Sequence, residues 1–208
     1  MAINQDDIIY FIVTDRFYGI ENPDENIRKR IDKNNPFKYH GGNFEGIIQK
    51  IPYLKKLGIT CLWITPVYTQ IDLETVDAYH GYWALDFNAI NPVLYIDNGK
   101  FPKGSKLYLK ELVDNLHKNG IKLILDMVVN HAGYNHPAIQ NIGQNPTPIQ
   151  QNWFHNANIR LDNDEIQGQL AGLPDFDLDS PNVCDYHIQT INSWIEETGI
   201  DAVRMDTV

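Results

Sequence analysis

The sequence predicts an α/β fold in which the chain supplies about the first four β/α units of a (β/α)8 TIM barrel. Two observations predict it. Three amphipathic, helix-like stretches each end in Gly-Ile and lead at once into a β-rich run, which is the alternation of a parallel sheet with right-handed crossovers. The helix-to-strand links are a residue or two, whereas the strand-to-helix links are long. Lengthening on that side alone is typical of an enzyme barrel, whose active face is built from these loops.

The predicted strands alternate with the predicted helices. The strands are expected at 8–17, 60–65, 123–129 and 201–206. The helices are indicated by apolar residues at helical spacing within 44–54, 109–116 and 188–195. Each helix should end at a glycine that takes the left-handed backbone, namely Gly58, Gly120 or Gly199. Pro52 interrupts the first helix, where we expect it to start a fresh turn.

The long loops divide the chain into three parts. Residues 1–131 are predicted to form the first part of the barrel, 132–180 a loop insertion large enough to be a small subdomain, and 181–208 the barrel continuation. The insertion is rich in Asn, Gln, Gly and Pro around 141–152, so little regular structure is expected there. A doubly wound open sheet is the rival architecture. No Gly-rich phosphate turn follows the first strand, which disfavours it.

Composition and charge narrow the functional classes. Of the 208 residues 43% are hydrophobic, which excludes a disordered chain, and a net charge of −10 disfavours a nucleic-acid partner. The apolar runs are too short to span a bilayer, so no membrane association is expected. The first residues are polar and acidic rather than a signal segment. We expect a cytoplasmic protein, with a secreted protein whose leader has been removed as the alternative.

The fourth predicted strand carries a candidate catalytic pair. Side chains alternate along a strand, so Arg204 and Asp206 share one face while Val203 and Met205 share the other, apolar one. Arg204 and Asp206 should therefore point into the barrel, with Asp206 at its C-terminal mouth. A carboxylate beside a guanidinium stays ionised, which suits a nucleophile. On these two residues alone, a buried structural ion pair is the favoured interpretation.

Four segments, one of which is the strand-4 run itself, favour a catalytic role over a structural ion pair. Together they resemble the α-amylase family, family 13 of the glycoside hydrolases. The segments are Asp-Met-Val-Val-Asn-His at 126–131, Leu-Pro-Asp-Phe-Asp at 173–177, Tyr-His-Gly-Tyr-Trp at 79–83, and the strand-4 run at 199–208. The segments 14–17 and 41–47 are also similar to those of the family. By this resemblance, the 132–180 insertion corresponds to domain B.

The resemblance implies roles for the site residues. Asp206 would be the nucleophile that forms the covalent glycosyl intermediate of a retaining reaction, and Arg204 would orient and ionise it. His80 and His131 would hydrogen-bond the sugar in the cleavage subsite, and Tyr82 would stack on its face. Trp83 is a further candidate for substrate binding, with loop packing as its alternative. Asp126 is expected to brace the loops at the barrel mouth.

The resemblance also implies a structural calcium ion. Asn130 and Asp175 match the family's site where domain B meets the barrel, and amide and carboxylate oxygens are ligands that this cation accepts. The alternatives are a strand-end cap for Asn130 and a turn for Asp175.

The predicted function is hydrolysis or transglycosylation of α-1,4-glucans such as starch, maltodextrin or cyclodextrin. Within the family, the sequence most resembles the amylase, cyclomaltodextrinase and cyclodextrin glucanotransferase branches. The family's general acid lies on a fifth strand, beyond Val208, so we expect a fragment that is inactive alone and that self-associates. The alternatives are a non-catalytic carbohydrate-binding or scaffold chain and a sucrose- or trehalose-directed relative.

Overall fold

The computed structural model describes residues 2–140, 145–159, 164 and 166–207. Val208, the last residue of the predicted strand-4 motif, and residues 141–144 of the predicted irregular run lie outside the described residues. Among the described residues, no helix combines the length and the apolar character needed to cross a membrane.

The described residues form six strands and seven α-helices. The strands are β1 (Ile9–Ile12), β2 (Cys61–Ile64), β3 (Tyr68–Gln70), β4 (Ala84–Ile90), β5 (Lys122–Val128) and β6 (Ala202–Asp206). The helices are α1 (Thr14–Phe17), α2 (Glu25–Lys29), α3 (Phe44–Gln49), α4 (Ile51–Leu57), α5 (Leu107–Lys118), α6 (Pro137–Gln140) and α7 (Pro181–Thr198). Short 3-10 helices lie at Pro92–Leu94, Gln151–Trp153 and Leu170–Gly172.

The four predicted barrel strands form one parallel sheet in the order β1-β2-β5-β6. The predicted helix ends are also confirmed, since Gly58, Gly120 and Gly199 have φ values of 85°, 76° and 74°. Pro52 lies in the first turn of α4, which begins just after α3 ends, as the sequence indicates. The Gly-Ile repeats thus mark the points where each helix ends and the chain enters the sheet.

The first strand is shorter than the sequence predicts. Residues 8–17 were expected to be extended, but β1 ends at Ile12 and the chain turns into α1. The backbone N–H of Thr14 donates to Thr65 Oγ1 at 3.1 Å, and the Asp15 carboxylate accepts backbone N–H groups from the loop that follows. These long-range hydrogen bonds end the strand, and no local pattern in the sequence records them.

The 68–104 loop contains a two-stranded antiparallel sheet, β3-β4, that the sequence analysis missed. The pairing is irregular, with register shifts on both sides of Thr69. In β4 the fully buried residues are Ala84, Phe87 and Ile90, three apart rather than two. Because the buried positions do not alternate, the sequence carries no strand signal here.

The two faces of the main sheet differ sharply. On one face, α3, α5 and α7 cover a dry core that includes Leu62, Ile64, Leu123, Leu125 and Trp194. Val203 and Met205 of β6 pack against this core, as the strand alternation predicts. On the other face, Phe11 of β1 remains 41% exposed. The polar cluster described next lies on this second face, at the C-terminal ends of β5 and β6.

Candidate active site

The register of β5 and β6 brings a carboxylate beside the predicted arginine. Asp126 lies directly opposite Arg204, and Val128 lies opposite Asp206. Arg204 Nη1 donates to Asp126 Oδ1 at 3.1 Å and also to Asp206 Oδ1. One guanidinium nitrogen therefore bridges two carboxylates, one on each strand.

These two carboxylates have different surroundings. Asp126 is 0% exposed, and its Oδ2 accepts hydrogen bonds from Tyr82 Oη at 2.8 Å and Trp63 Nε1 at 3.2 Å. Burial raises the pKa of Asp126, while the hydrogen bonds from Tyr82 and Arg204 act in the opposite direction. The Asp206 side chain keeps 17% exposure, and its second oxygen accepts a hydrogen bond from the Thr207 hydroxyl. Asp206 is thus the more accessible carboxylate of the pair.

The aromatic segment 79–83 forms one wall of this cluster. The His80 ring stacks on Tyr82 at a centroid distance of 5.7 Å, and His80 Nδ1 accepts the Tyr82 backbone N–H at 3.1 Å. Burial lowers the pKa of His80 to about 4, so its ring is neutral near pH 7. Burial and the Asp126 carboxylate raise the pKa of Tyr82, which keeps its hydroxyl protonated as a donor. Trp83 packs edge-to-face against His80 and Tyr134.

His131 lies behind Tyr82 and is engaged by the protein through both ring nitrogens. Nε2 lies 3.1 Å from the backbone carbonyl oxygen of Tyr82, and Nδ1 lies 3.1 Å from Asn130 Oδ1. The ring is 2% exposed, and burial lowers its pKa. In this arrangement His131 links the aromatic segment to the end of β5. Its predicted sugar contact would need one of these two nitrogens to be released.

The structure brings together the predicted residues Arg204, Asp206 and Tyr82, with His80 and His131 packed around Tyr82. Two other features were missed. Trp63 contacts Asp126 from β2, and the signal available was its inward-facing position on a strand whose neighbours Leu62 and Ile64 are fully buried.

The second missed feature is at the C-terminal end of β1. Arg16 Nη1 donates to Asp15 Oδ2 at 2.6 Å, and the Arg16 guanidinium lies 3.8 Å from the centroid of the Tyr79 ring. Asp15 is 1% exposed and accepts the backbone N–H groups of His40 and Gly41. In the sequence this segment resembles the family, but no local pattern assigns a role to its carboxylate.

The two predicted calcium ligands meet directly. Asn130 Nδ2 donates to Asp175 Oδ1 at 2.8 Å, and His155 Nδ1 lies 2.7 Å from Asp175 Oδ2. An amide and a carboxylate are suitable ligands, but both carboxylate oxygens are already engaged. Within the described part of the chain, no group of three His, Cys, Asp or Glu side chains is placed to hold a metal ion. The pair therefore fits only part of a calcium site.

Comparison with known proteins identifies the family. The family model described as "Alpha amylase, catalytic domain" matches residues 11–208. The Beta/alpha-amylase of Paenibacillus polymyxa is 36% identical over 210 residues, which cover 96% of this chain and 16% of that protein. The cyclomaltodextrin glucanotransferase of Bacillus sp. (strain 1-1) is also 36% identical, over 97% of this chain and 30% of that protein.

Solved structures agree with this result. The alpha-amylase from Geobacillus thermoleovorans, complexed with acarbose, matches with a TM-score of 0.79 and 36% identity over 98% of this chain and 40% of that one. The gamma-CGTase from alkalophilic Bacillus clarkii matches with a TM-score of 0.76 and 30% identity over 97% of this chain and 31% of that one. The chain thus spans less than half the length of these relatives, and its sheet is part of a TIM barrel. By the family match and these likenesses, the chain belongs to the α-amylase catalytic-domain family.

Proposed function

We propose that the chain carries the nucleophile side of a retaining active site for α-1,4-glucans, with Asp206 as the nucleophile. The observation that carries the proposal is the bridge from Arg204 to Asp206 and Asp126. Because Arg204 also binds a fully buried carboxylate, its position is set by the strand register and not by Asp206 alone. This leaves Asp206 oriented at the mouth with partial exposure, its Oδ1 held by Arg204 and its Oδ2 by the exposed Thr207 hydroxyl, which a bound sugar can displace.

The chemical step follows from this geometry. A carboxylate oxygen of Asp206 attacks the anomeric carbon of the bound sugar, and the bond from that carbon to the leaving oxygen breaks. The Arg204 charge favours the ionised nucleophile before attack. Tyr82, partly exposed beside Asp206 and Arg204, is proposed to stack on the sugar ring, and His80 and Trp83 hold the segment that carries it.

The leaving oxygen needs a proton, and we propose that its donor lies outside these 208 residues. Among the described residues, Asp126 is the carboxylate that shares Arg204 with Asp206, and both of its oxygens are engaged inside the protein. A retaining pair requires a second carboxyl about 5–5.5 Å away with a free oxygen. The chain spans less than half of its relatives, which supports an acid contributed by further sequence.

An activated substrate tests the nucleophile without requiring the missing acid. In α-maltosyl fluoride the leaving group departs as fluoride without protonation, while the Asp206 oxygen forms the new bond to the anomeric carbon. We expect a burst of about one fluoride per chain with little turnover afterwards, because the same acid–base residue would also be needed to activate water. Fluoride is measured with an ion-selective electrode.

The matched control is Asp206→Asn, which keeps the size and one oxygen of the side chain. It should abolish the burst, whereas Asp185→Asn on α7, away from the site, should leave it unchanged. No burst from the unaltered chain, or an equal burst from Asp206→Asn, would contradict the proposed nucleophile. Steady release of reducing sugar from maltodextrin would contradict the proposed absence of the acid.

Hydrolysis and transglycosylation both remain within this proposal. The relatives named as amylase and as glucanotransferase share the same 36% identity with the chain. The two reactions differ in whether water or a sugar hydroxyl accepts the glycosyl group. Because activating either acceptor needs the acid–base residue, the test uses a chain extended to include it: hydrolysis of maltodextrin then releases reducing sugar, whereas transglycosylation gives longer or cyclic glucans.

We also propose that calcium binds through Asn130 and Asp175 and ties the 132–180 insertion to the end of β5. The support is their direct contact and the location of Asp175, which is 1% exposed. The ion would replace His155 at Asp175 and act structurally, so no chemical step depends on it.

Cellular location remains a prediction, with a cytoplasmic protein as the expected case.

Self-association is proposed from the exposed apolar face of β1. Ile9 and Phe11, two residues apart on β1, are 49% and 41% exposed, and Ile8 just before the strand is 57% exposed. Exposed apolar edges of this kind favour association. Sedimentation over a range of concentrations tests it, and a monomer at every concentration would contradict the proposal.

A further inference from the structure

We propose that Trp63 is a positioning residue of this site, whose indole N–H holds Asp126 so that Arg204 remains available to Asp206. The inference rests on the proposed role of Asp206 as nucleophile. It assigns a function to a residue on β2, a strand that contributes none of the site residues predicted from the sequence.

The fold fixes where Trp63 lies. β2 runs between β1 and β5, and Trp63 is in register with Phe11 on one side and Ile124 on the other. Its sequence neighbours Leu62 and Ile64 are fully buried among the helices. Alternation along the strand therefore directs the indole to the inner face of the sheet, toward the polar cluster.

Trp63 contacts two members of that cluster. Its Nε1–H donates to Asp126 Oδ2 at 3.2 Å, the same oxygen that accepts the Tyr82 hydroxyl at 2.8 Å. The guanidinium carbon of Arg204 lies 5.5 Å from the centroid of the Trp63 ring, within the range of a cation–π interaction. Trp63 thus touches the buried carboxylate and the arginine, whereas Asp206 is reached only through Arg204.

The positioning effect arises because Arg204 Nη1 is shared between two carboxylates. Asp126 is fully buried, so water cannot replace a donor that it loses. Without the indole N–H, Asp126 Oδ2 would draw Nη1 toward itself, since a buried carboxylate gains more from a charged donor than a partly exposed one. Arg204 would then move away from Asp206, which would lose its orienting partner.

Trp63→Phe separates this effect from packing, because phenylalanine keeps a ring beside Phe11 and lacks the N–H. We measure the burst rate with α-maltosyl fluoride as a function of its concentration. The maximum rate constant should fall by about tenfold or more, the effect of losing one hydrogen bond to a charged group. The half-saturating concentration should change by less than about twofold, because Trp63 is not proposed to touch the sugar.

Phe11→Leu is the matched control, since it removes the neighbouring ring and no polar contact. It should leave the maximum burst rate unchanged. An unchanged rate in Trp63→Phe, or equal losses in both variants, would overturn the inference. A missing burst in the unaltered chain would instead overturn the proposed nucleophile, and the inference then stands or falls on a second measurement.

That measurement uses the unaltered indole and needs no activity. The Nε1–H resonance of Trp63 is followed by nuclear magnetic resonance in the unaltered chain and in Asp206→Asn. Weakening the hold of Asp206 on Arg204 should shift the resonance, because Arg204 moves toward Asp126 and changes the oxygen that the indole binds. An unmoved resonance would overturn the coupling, even if Trp63→Phe failed to fold.

Discussion

The mouth of β1 and the mouth of β6 each carry an arginine–aspartate pair, yet the two pairs have different hydrogen-bond partners. At β1, Asp15 accepts two backbone N–H groups as well as Arg16, and Arg16 donates to the carbonyl oxygens of Lys38 and Pro36. These contacts fasten the first long loop to the barrel. The pair at β1 is therefore structural.

At β6 the contacts are arranged differently. Arg204 is anchored by the buried Asp126, and no backbone N–H donor to Asp206 is found among the described contacts. One carboxylate fixes the arginine and the other keeps partial exposure. The comparison shows that an arginine beside an aspartate does not by itself indicate catalysis. We propose that the hydrogen-bond partners of such a pair distinguish a structural carboxylate from a reactive one.

The largest expected effect is on chemistry at β6. Asp206→Asn should lower the burst rate by roughly 10³-fold or more, as expected for the loss of a nucleophile. It should leave the melting temperature within about 2 °C, because the side chain is partly exposed and an amide oxygen can still accept from Arg204. Fluoride release and calorimetry on the same sample check both parts. Unfolding without a specific loss of rate would make this pair a brace as well.

Asp15→Asn should have its main effect on stability. The new amide nitrogen would face the N–H groups of His40 and Gly41 in a buried site, so we expect a loss of about 3 kcal/mol. For a chain of this size, that corresponds to roughly 10 °C in melting temperature. Chemical denaturation measures it. A chain that stays as stable but loses its burst would reverse the comparison.

The structure also explains how far the sequence could predict these two regions. The Gly-Ile repeats and strand alternation were sufficient for the four-stranded sheet and for the inward direction of Arg204. They could not predict where β1 ends, because Thr14 and Asp15 are held by Thr65 and by the loop at residues 40–41, far along the chain.

The hydrogen bond from Trp63 to Asp126 could not be predicted from the sequence either. Its indole reaches Asp126 on the neighbouring strand β5, far along the chain, and nothing in the local pattern of β2 distinguishes a ring that packs from one that donates a hydrogen bond. The β3-β4 pair escaped because register shifts remove the two-residue alternation. Local periodicity therefore predicted the scaffold, and contacts between distant segments determined the details of the site.

A third region, around His187 of α7, makes the stability of the chain depend on pH. His187 of α7 is 4% exposed among the rings of Phe87, Phe176 and Tyr186, and its Nε2 has no hydrogen-bond partner within the part of the chain that the structure describes. Burial lowers its pKa to about 4, against about 6.5 in the unfolded chain. The unfolded state therefore binds more protons below pH 6.5, and stability falls as the pH is lowered toward 4.

His187→Phe should remove most of that fall and stabilise the chain at pH 4.5 by roughly 2–3 kcal/mol relative to its effect at pH 7.5. Urea denaturation at the two pH values measures the difference. An identical effect of the substitution at both values would show that His187 does not titrate on unfolding.

The smallest expected effect concerns calcium. If the ion binds the native chain alone, the melting temperature should rise by a few degrees in excess calcium relative to chelator, by mass action. Asp175→Asn should abolish this rise in melting temperature. The control variant, Asp185→Asn, should show the same rise as the unaltered chain. Identical midpoints for the unaltered chain would contradict a structural ion at this position.

We propose that Asp206, and neither Asp126 nor Asp15, is the reactive carboxylate. The most direct test is to locate the sugar after the burst with α-maltosyl fluoride, by digesting the chain and mapping the added mass by fragmentation. We expect one maltosyl group, attached to Asp206 and absent from Asp206→Asn. A maltosyl group on Asp126 or Asp15, or no adduct after a full burst of fluoride, would contradict it.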